Sequence, residues 1–186
     1  MNVYDFDKTI YDGDSTADFY LFSLKRHKKI ILCAPSLIGS ALRFYVLKRG
    51  TKTDFKQVMY RFLKYCDLKK DVPDFWQGHI GKIKRFYKER QREDDVIISA
   101  SPRFLLQPAC ELLGITHLMA SEVDGKTGLY SGINCHGKEK VRRYRAAFGR
   151  TPIDEFYSDS KSDAPLAEIA KRAYLVKGER LSDWNA

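Results

Sequence analysis

An α/β fold, with a mostly parallel sheet interrupted early by a block of helices, is the architecture this 186-residue sequence predicts. Short apolar runs of strand length recur at Val3 to Phe6, Val96 to Ser99, His117 to Ser121, Glu155 to Ser158 and Tyr174 to Val176, with helical stretches between most of them. That alternation implies parallel strands covered by helices on both faces. Between residues 14 and 92 the strand signals give way to apolar residues at helical spacing, as at Phe55, Val58, Met59, Phe62 and Tyr65. Charge divides the chain at the same places. Residues 14–92 hold 19 Lys+Arg and 7 Asp+Glu, a balance of +12, and the remainder holds 14 and 17, a balance of −3. Residues 1–13 and 93–186 therefore form the expected core, and residues 14–92 the expected helical insertion.

The opening strand runs straight into acids at Asp5 and Asp7. The helical block is expected to break near Gly50-Thr51, at Asp71-Val72-Pro73 and between Gly78 and Gly81. Within it, residues 30–47 are apolar over about the length of a minimal spanning helix, but Pro35, Gly39 and Arg43 interrupt them and basic residues flank both ends. Burial inside a helical bundle is the expected fate of this run, and lying at a membrane surface is the alternative. After the second strand, Ser101-Pro102 supplies an N-cap and first-turn proline for a helix ending near Gly114. Asp124 to Gly128 reads as the turn of a hairpin continuing to about Asn134. A helix from Lys138 to Phe148, a strand, a helix through Lys171 and a last strand complete the pattern.

The net charge of +9 points to an anionic partner: a phosphorylated substrate, nucleic acid or an anionic membrane surface. Cys33, Cys66, Cys110 and Cys135 are scattered without metal-type spacing, as expected of reduced thiols buried in a cytoplasmic protein. Asp5 and Asp7 interrupt the opening apolar run, so no secretory leader is expected there. His27, His79, His117 and His136 read as structural or solvent-facing.

In an open parallel sheet, ligands bind beyond the carboxyl ends of the strands. Three of the expected strands end in reactive residue types: Asp5-Phe6-Asp7-Lys8-Thr9, Ser99-Ala100-Ser101 and Asp159-Ser160-Lys161-Ser162-Asp163. All would converge on one rim. Carboxylates on alternate strand residues repel each other and gain nothing from burial, so a cation is the simplest reason for placing them there.

The DxDxT of Asp5, Asp7 and Thr9, the strand-terminal Ser99, a lysine at a helix start and the DxxxD of Asp159 and Asp163, in that order, resemble the four motifs of the haloacid dehalogenase superfamily of phosphatases. A helical insertion directly after the first motif resembles the subfamily that includes phosphoserine phosphatase. The runs S-A-S-P-R-F, D-G-K-T-G, N-C-H-G-K-E-K-V-R-R and Y-S-D-S-K-S-D-A-P are similar to the branch of phosphatidylglycerophosphate phosphatase-like proteins. The resemblance implies a Rossmann-like core with a C1-type helical cap. It implies Asp5 as a nucleophile forming an aspartyl-phosphate and Asp7 as the acid and then the base. Ser99, and beside it Ala100, would meet the phosphoryl group, and a lysine would neutralise it; Lys140 fits the G-x-x-K-V spacing and Lys138 the K-x-x-V spacing. Mg²⁺ would be held by Asp5, the Asp7 carbonyl and Asp159, with Asp163 orienting the ligand shell. Thr9 would position phosphate or shape the turn.

Lys8 stands where the family commonly has glycine, and so does Ser158 before Asp159. Asp14 and Arg61 fall roughly where phosphoserine phosphatases hold the substrate's amine and carboxylate. The basic cap and the apolar run suggest instead a lipid-like or membrane-presented phosphate, with peripheral membrane contact through the cap and no nucleic acid partner. An amino-acid phosphatase and a non-catalytic basic anion-binding module are the rival readings.

Overall fold

The computed structural model describes residues 1–185, and at Lys52 the backbone alone. Its sheet has the order β3-β2-β1-β4-β5-β6. The strands are β1 (Val3–Tyr4), β2 (Val96–Pro102), β3 (His117–Ser121), β4 (Ile153–Ser158), β5 (Ala170–Lys177) and β6 (Arg180–Asp183). All neighbours pair in parallel except β5 and β6, which are antiparallel. β1 lies between β2 and β4, with Val3 opposite both Val96 and Phe156. Chain order reverses there, and the carboxyl ends of three strands meet at one crevice.

Alternate strand residues serve two apolar clusters. Tyr4, Ile97 and Tyr157 face one side and Val3, Val96 and Phe156 the other. Helices α7 (Lys138–Phe148) and α8 (Ala164–Ala167) cover the second side through Tyr144 and Leu166. The first side carries α6 (Arg103–Leu112) and the chain between β1 and β2, which folds as α1 (Ser15–Arg26), α2 (Ala34–Ala41), α3 (Lys52–Tyr60), α4 (Leu68–His79) and α5 (Arg85–Arg90).

Local chemistry starts these helices where they start. Asp14 accepts from Ala17 N at 3.0 Å at the head of α1, and Thr51 with Asp54 forms a capping box on α3. From α1, Phe19 packs on Phe75 of α4, ring centroids 5.4 Å apart. Trp76 meets the edges of Phe6 and Tyr11, and its indole N–H donates to the Leu105 carbonyl of α6 at 2.6 Å. The insertion and that face of the sheet thus share one continuous apolar cluster.

Several expected boundaries differ. Asp71-Val72-Pro73 is no break but lies inside α4, where burial of Val72, Phe75 and Trp76 outweighs the hydrogen bond Pro73 cannot donate. Ser101 is not a helix cap: β2 continues through Pro102, its register against β3 shifting between Ile98 and Pro102. The hairpin after Asp124 reduces to a single bridge, Val123 to Tyr130. Residues 170–173 join β5 rather than extend α8, because pairing with β4 overrides the helical character of Ala170-Lys171-Arg172. β6 escaped the sequence pattern altogether. Residues 30–47, expected inside a bundle, are largely exposed.

Candidate active site

Beyond the ends of β1, β2 and β4 lies a cavity of about 310 Å³. Asp5, Asp7, Asp14, Ser99, Ala100, Lys140, Asp159 and Asp163 all line it. Asp5 follows β1 and is fixed by its backbone, Asp5 N donating to Tyr157 O at 2.9 Å. Lys140, from the first turn of α7, is buried and donates to Asp5 Oδ1 and to Asp163 Oδ2, both at 2.7 Å. Ser158 Oγ donates to the same Asp163 oxygen at 2.8 Å, while Asp163 Oδ1 is buried without a hydrogen-bond partner.

Asp7 is held separately. Its Oδ1 accepts from Ser15 N at 2.7 Å, where α1 begins, and its Oδ2 accepts from Ser101 Oγ. Thr9 is fully buried beneath the cavity, and its Oγ1 accepts from Asp159 N at 3.0 Å, tying the loop after β1 to the end of β4. Between them Lys8 has φ 58°, the left-handed conformation glycine adopts without steric penalty. Lys8 N donates to Gly13 O at 2.8 Å, and its carbonyl accepts from the buried Lys84 ammonium.

Charges crowd this space. Burial pushes the Asp5 carboxyl up to about 7, with Lys140 opposing the rise and Asp163 adding to it. Asp7 and Asp159 are raised for the same leading reason, Asp7 further by Asp14 and against the pull of Ser101 and Ser15. For Lys140, burial disfavours the ammonium, and the two carboxylates more than offset it, so the proton is held above the ordinary lysine range. A hard divalent cation fits this set: the donors are oxygens, five acids line one cavity, and one buried carboxylate oxygen lacks a partner.

Three expected positions do not line the cavity, and one of them is Thr9, buried beneath it. Lys138 is exposed at the start of α7 and Arg61 is exposed on the turn after α3; neither lines the cavity. Two residues apart on α7, Lys138 and Lys140 lie about 200° apart around the helix axis, so Lys138 faces away from the cavity that Lys140 enters. Sequence reasoning set Ser101 on the rim and noted Ser158 but gave neither its role, in which their hydroxyls hold Asp7 and Asp163, and it missed His136, Lys56, Tyr45, Phe55 and Met59 on the cavity wall. The signal available for Ser101 was its place one residue beyond Ala100 at a strand end.

Residues 3–168 match the model of the haloacid dehalogenase-like hydrolases, and the chain belongs to that family. A Mycobacterium tuberculosis protein named "Probable phosphatase" is 34% identical over 94 residues, 47% of this chain and 33% of that protein. Histidinol-phosphatase of Neisseria meningitidis is 28% identical over 116 residues, 53% of this chain and 51% of that one. The chain thus spans between a third and about half the length of these relatives. Among solved structures, a protein of unknown function from Bordetella pertussis has the same fold at TM-score 0.75, with 21% identity over 93% of this chain and 87% of that one. A phosphoserine phosphohydrolase-like protein from Francisella tularensis aligns at TM-score 0.60, with 16% identity over 93% and 86%.

Proposed function

We propose that this chain hydrolyses phosphomonoesters through an aspartyl-phosphate on Asp5, in the cytoplasm, with Mg²⁺ as its metal. The observation that carries the reading is the convergence of Asp5, Asp7, Ser99, Lys140, Asp159 and Asp163 on one cavity. A carboxylate oxygen of Asp5 attacks phosphorus as the P–O bond to the leaving group breaks, and Asp7 gives its proton to the departing alkoxide. Burial raises the Asp7 carboxyl, which favours the protonated form that this step needs. In the second half Asp7 takes a proton from water, the water oxygen bonds to phosphorus, and the bond to Asp5 breaks, releasing phosphate.

Ser99 and the backbone at Ala100 stand where hydrogen bonds reach the transferring oxygens. Lys140 holds Asp5 in place and supplies positive charge that grows more valuable as the phosphoryl group leaves. Asp163 and Ser158 orient Lys140. Mg²⁺, held by Asp5, the Asp7 carbonyl, Asp159 and Asp163, would screen these carboxylates from one another and draw charge from the phosphoryl oxygens.

The amino-acid phosphatase reading needs Arg61 at the substrate, and Arg61 lies outside the cavity; a small or lipid-linked phosphate fits better, with Tyr45, Phe55 and Met59 offering apolar wall to a leaving group. Phosphate release from a panel of phosphomonoesters, including phosphoserine and lipid phosphates, tests the proposal. Activity with Mg²⁺, lost on chelation and reduced at least about a thousandfold in Asp5→Asn, is expected. A folded protein inactive across the panel would overturn it.

A further inference from the structure

A surface helix is normally apolar only on the side it buries. The helical run from Lys28 to Val46 breaks that pattern. Its inner side packs on the cap through Ile30 and Cys33, yet Ile31, Leu32, Ile38, Leu42, Tyr45 and Val46, with Leu47 beyond, stand 53–68% exposed. Read along the run, Ile31, Pro35, Ile38, Leu42 and Tyr45 recur every three or four residues, so the exposed apolar atoms form one stripe along one face. Such a contiguous stripe marks a surface that something covers.

We propose that this face docks on an anionic lipid bilayer, lying in the plane of the membrane surface. Charge complementarity selects that occupant. No acidic residue occurs between Asp18 and Asp54, while Lys25, Lys28 and Lys29 precede the stripe and Lys48 and Arg49 follow it; Arg26 is paired with Asp71 and Asp74. Apolar residues between basic ends match the acyl boundary and headgroup phosphates of an anionic leaflet. A second copy of the chain would bring the same basic ends against each other in a two-fold contact, which repels.

The run is long enough to span a bilayer, but its connections forbid it. α1 enters it at one end and α3 leaves it at the other, and both belong to the same cap: Phe44 and Phe55 stack with centroids 5.9 Å apart, and Ile30 is buried in the core cluster with Phe19 and Phe62. The stripe also ends at the cavity, since Tyr45 lines both. Docking therefore turns the cavity mouth toward the lipid headgroups. That consequence for substrate delivery rests on the hydrolytic reading; the docking itself does not.

Flotation of the full chain with vesicles tests it. The chain is expected to float with phosphatidylcholine–phosphatidylglycerol vesicles, to bind phosphatidylcholine alone weakly, and to be released as salt rises. The double variants Ile38→Asp/Leu42→Asp and Lys48→Glu/Arg49→Glu should each lower the bound fraction about tenfold or more. Both should release phosphate from a soluble aryl phosphate at the unmodified rate. No binding to either vesicle, binding indifferent to both double variants, or a dimer that Ile38→Asp/Leu42→Asp disperses would overturn the proposal. A chain that floats as described yet hydrolyses nothing would count against the hydrolytic reading alone.

Discussion

Burying the Lys140 ammonium between Asp5 and Asp163 makes three charges depend on one another. Removing one partner of such a buried set leaves the others uncompensated, which typically costs about 3–5 kcal/mol. Lys140→Ala is therefore expected to lose about that much stability in urea denaturation without metal, and most of the catalytic rate; Lys138→Ala, at an exposed position, should change stability by less than about 0.5 kcal/mol. Asp95 shows the reverse logic. Burial lifts its carboxyl to about 6, one of its oxygens has no hydrogen-bond partner, and the other accepts from Arg92 N at 2.9 Å. With a folded value above the unfolded one, the ionised form is the disfavoured one in the fold. Stability from this group is thus full below the unfolded value near 4 and is lost as pH rises through about 6. Asp95→Asn is expected to stabilise by about 2 kcal/mol at pH 8, with the gain vanishing toward pH 4, as a pair of pH-dependent denaturation series would record. At this scale the sequence told much: the acids and Ser99 stand at strand ends that the apolar pattern locates, while the choice between Lys138 and Lys140 stayed open until the fold set Lys140 in the cavity wall. The roles of Ser101 and Ser158 were not legible, because a serine hydroxyl carries no signal until its neighbour is known.

The bulge in β2 decides what an element can hide. Pairing slips between Ile98 and Pro102, and that irregular stretch contains Ser99, Ala100 and Ser101, so Ser101 reaches Asp7 rather than starting a helix. Nothing in a Ser-Pro dipeptide distinguishes a bulged strand end from an N-cap. Strand existence was legible where apolar runs were buried, as in β2 and the end of β4, and poorly legible in β5 and β6, which expose polar residues such as Lys171, Arg172 and Arg180. The hairpin after β3 is shorter than the sequence pattern suggests, because its turn packs on the helical insertion. Gly128 lies at φ 74° against Tyr60, and a Cβ there would fall 2.7 Å from the Tyr60 backbone. Gly128→Ala thus combines a left-handed backbone with a clash no side-chain rotation relieves, and it should cost about 2–3 kcal/mol and lower the thermal midpoint by several degrees. An unchanged midpoint would show that the loop swings free of the cap.

Across the whole molecule, the boundary that charge and periodicity draw at residues 14 and 92 is not a boundary in packing. Phe19, Phe62, Phe75 and Trp76 of the insertion join Tyr4, Phe6 and Ile97 of the sheet in one cluster, while the other face has a cluster of its own around Phe156 and Trp184. The strand residues that separate the two clusters alternate between them, so melting either face strips partners from the same strands. One cooperative transition follows, with the helical insertion and the sheet unfolding together. The two tryptophans make this measurable, because Trp76 reports the shared face and Trp184 the opposite one, 5.9 Å from Phe156. Trp184→Phe leaves Trp76 as the sole indole, Trp76→Phe leaves Trp184, and each variant's fluorescence midpoint in urea should coincide with its own far-ultraviolet circular dichroism midpoint. Under the proposed metal site, Mg²⁺ would bind the folded arrangement of Asp5, Asp159 and Asp163 and not the dispersed chain, and both variants should then shift upward together as its concentration rises, by RT ln(1 + [Mg²⁺]/Kd). A Trp76 signal lost at lower urea than the circular dichroism would instead make the insertion a separately folding unit, with Trp76 packing onto the sheet only after the sheet has formed.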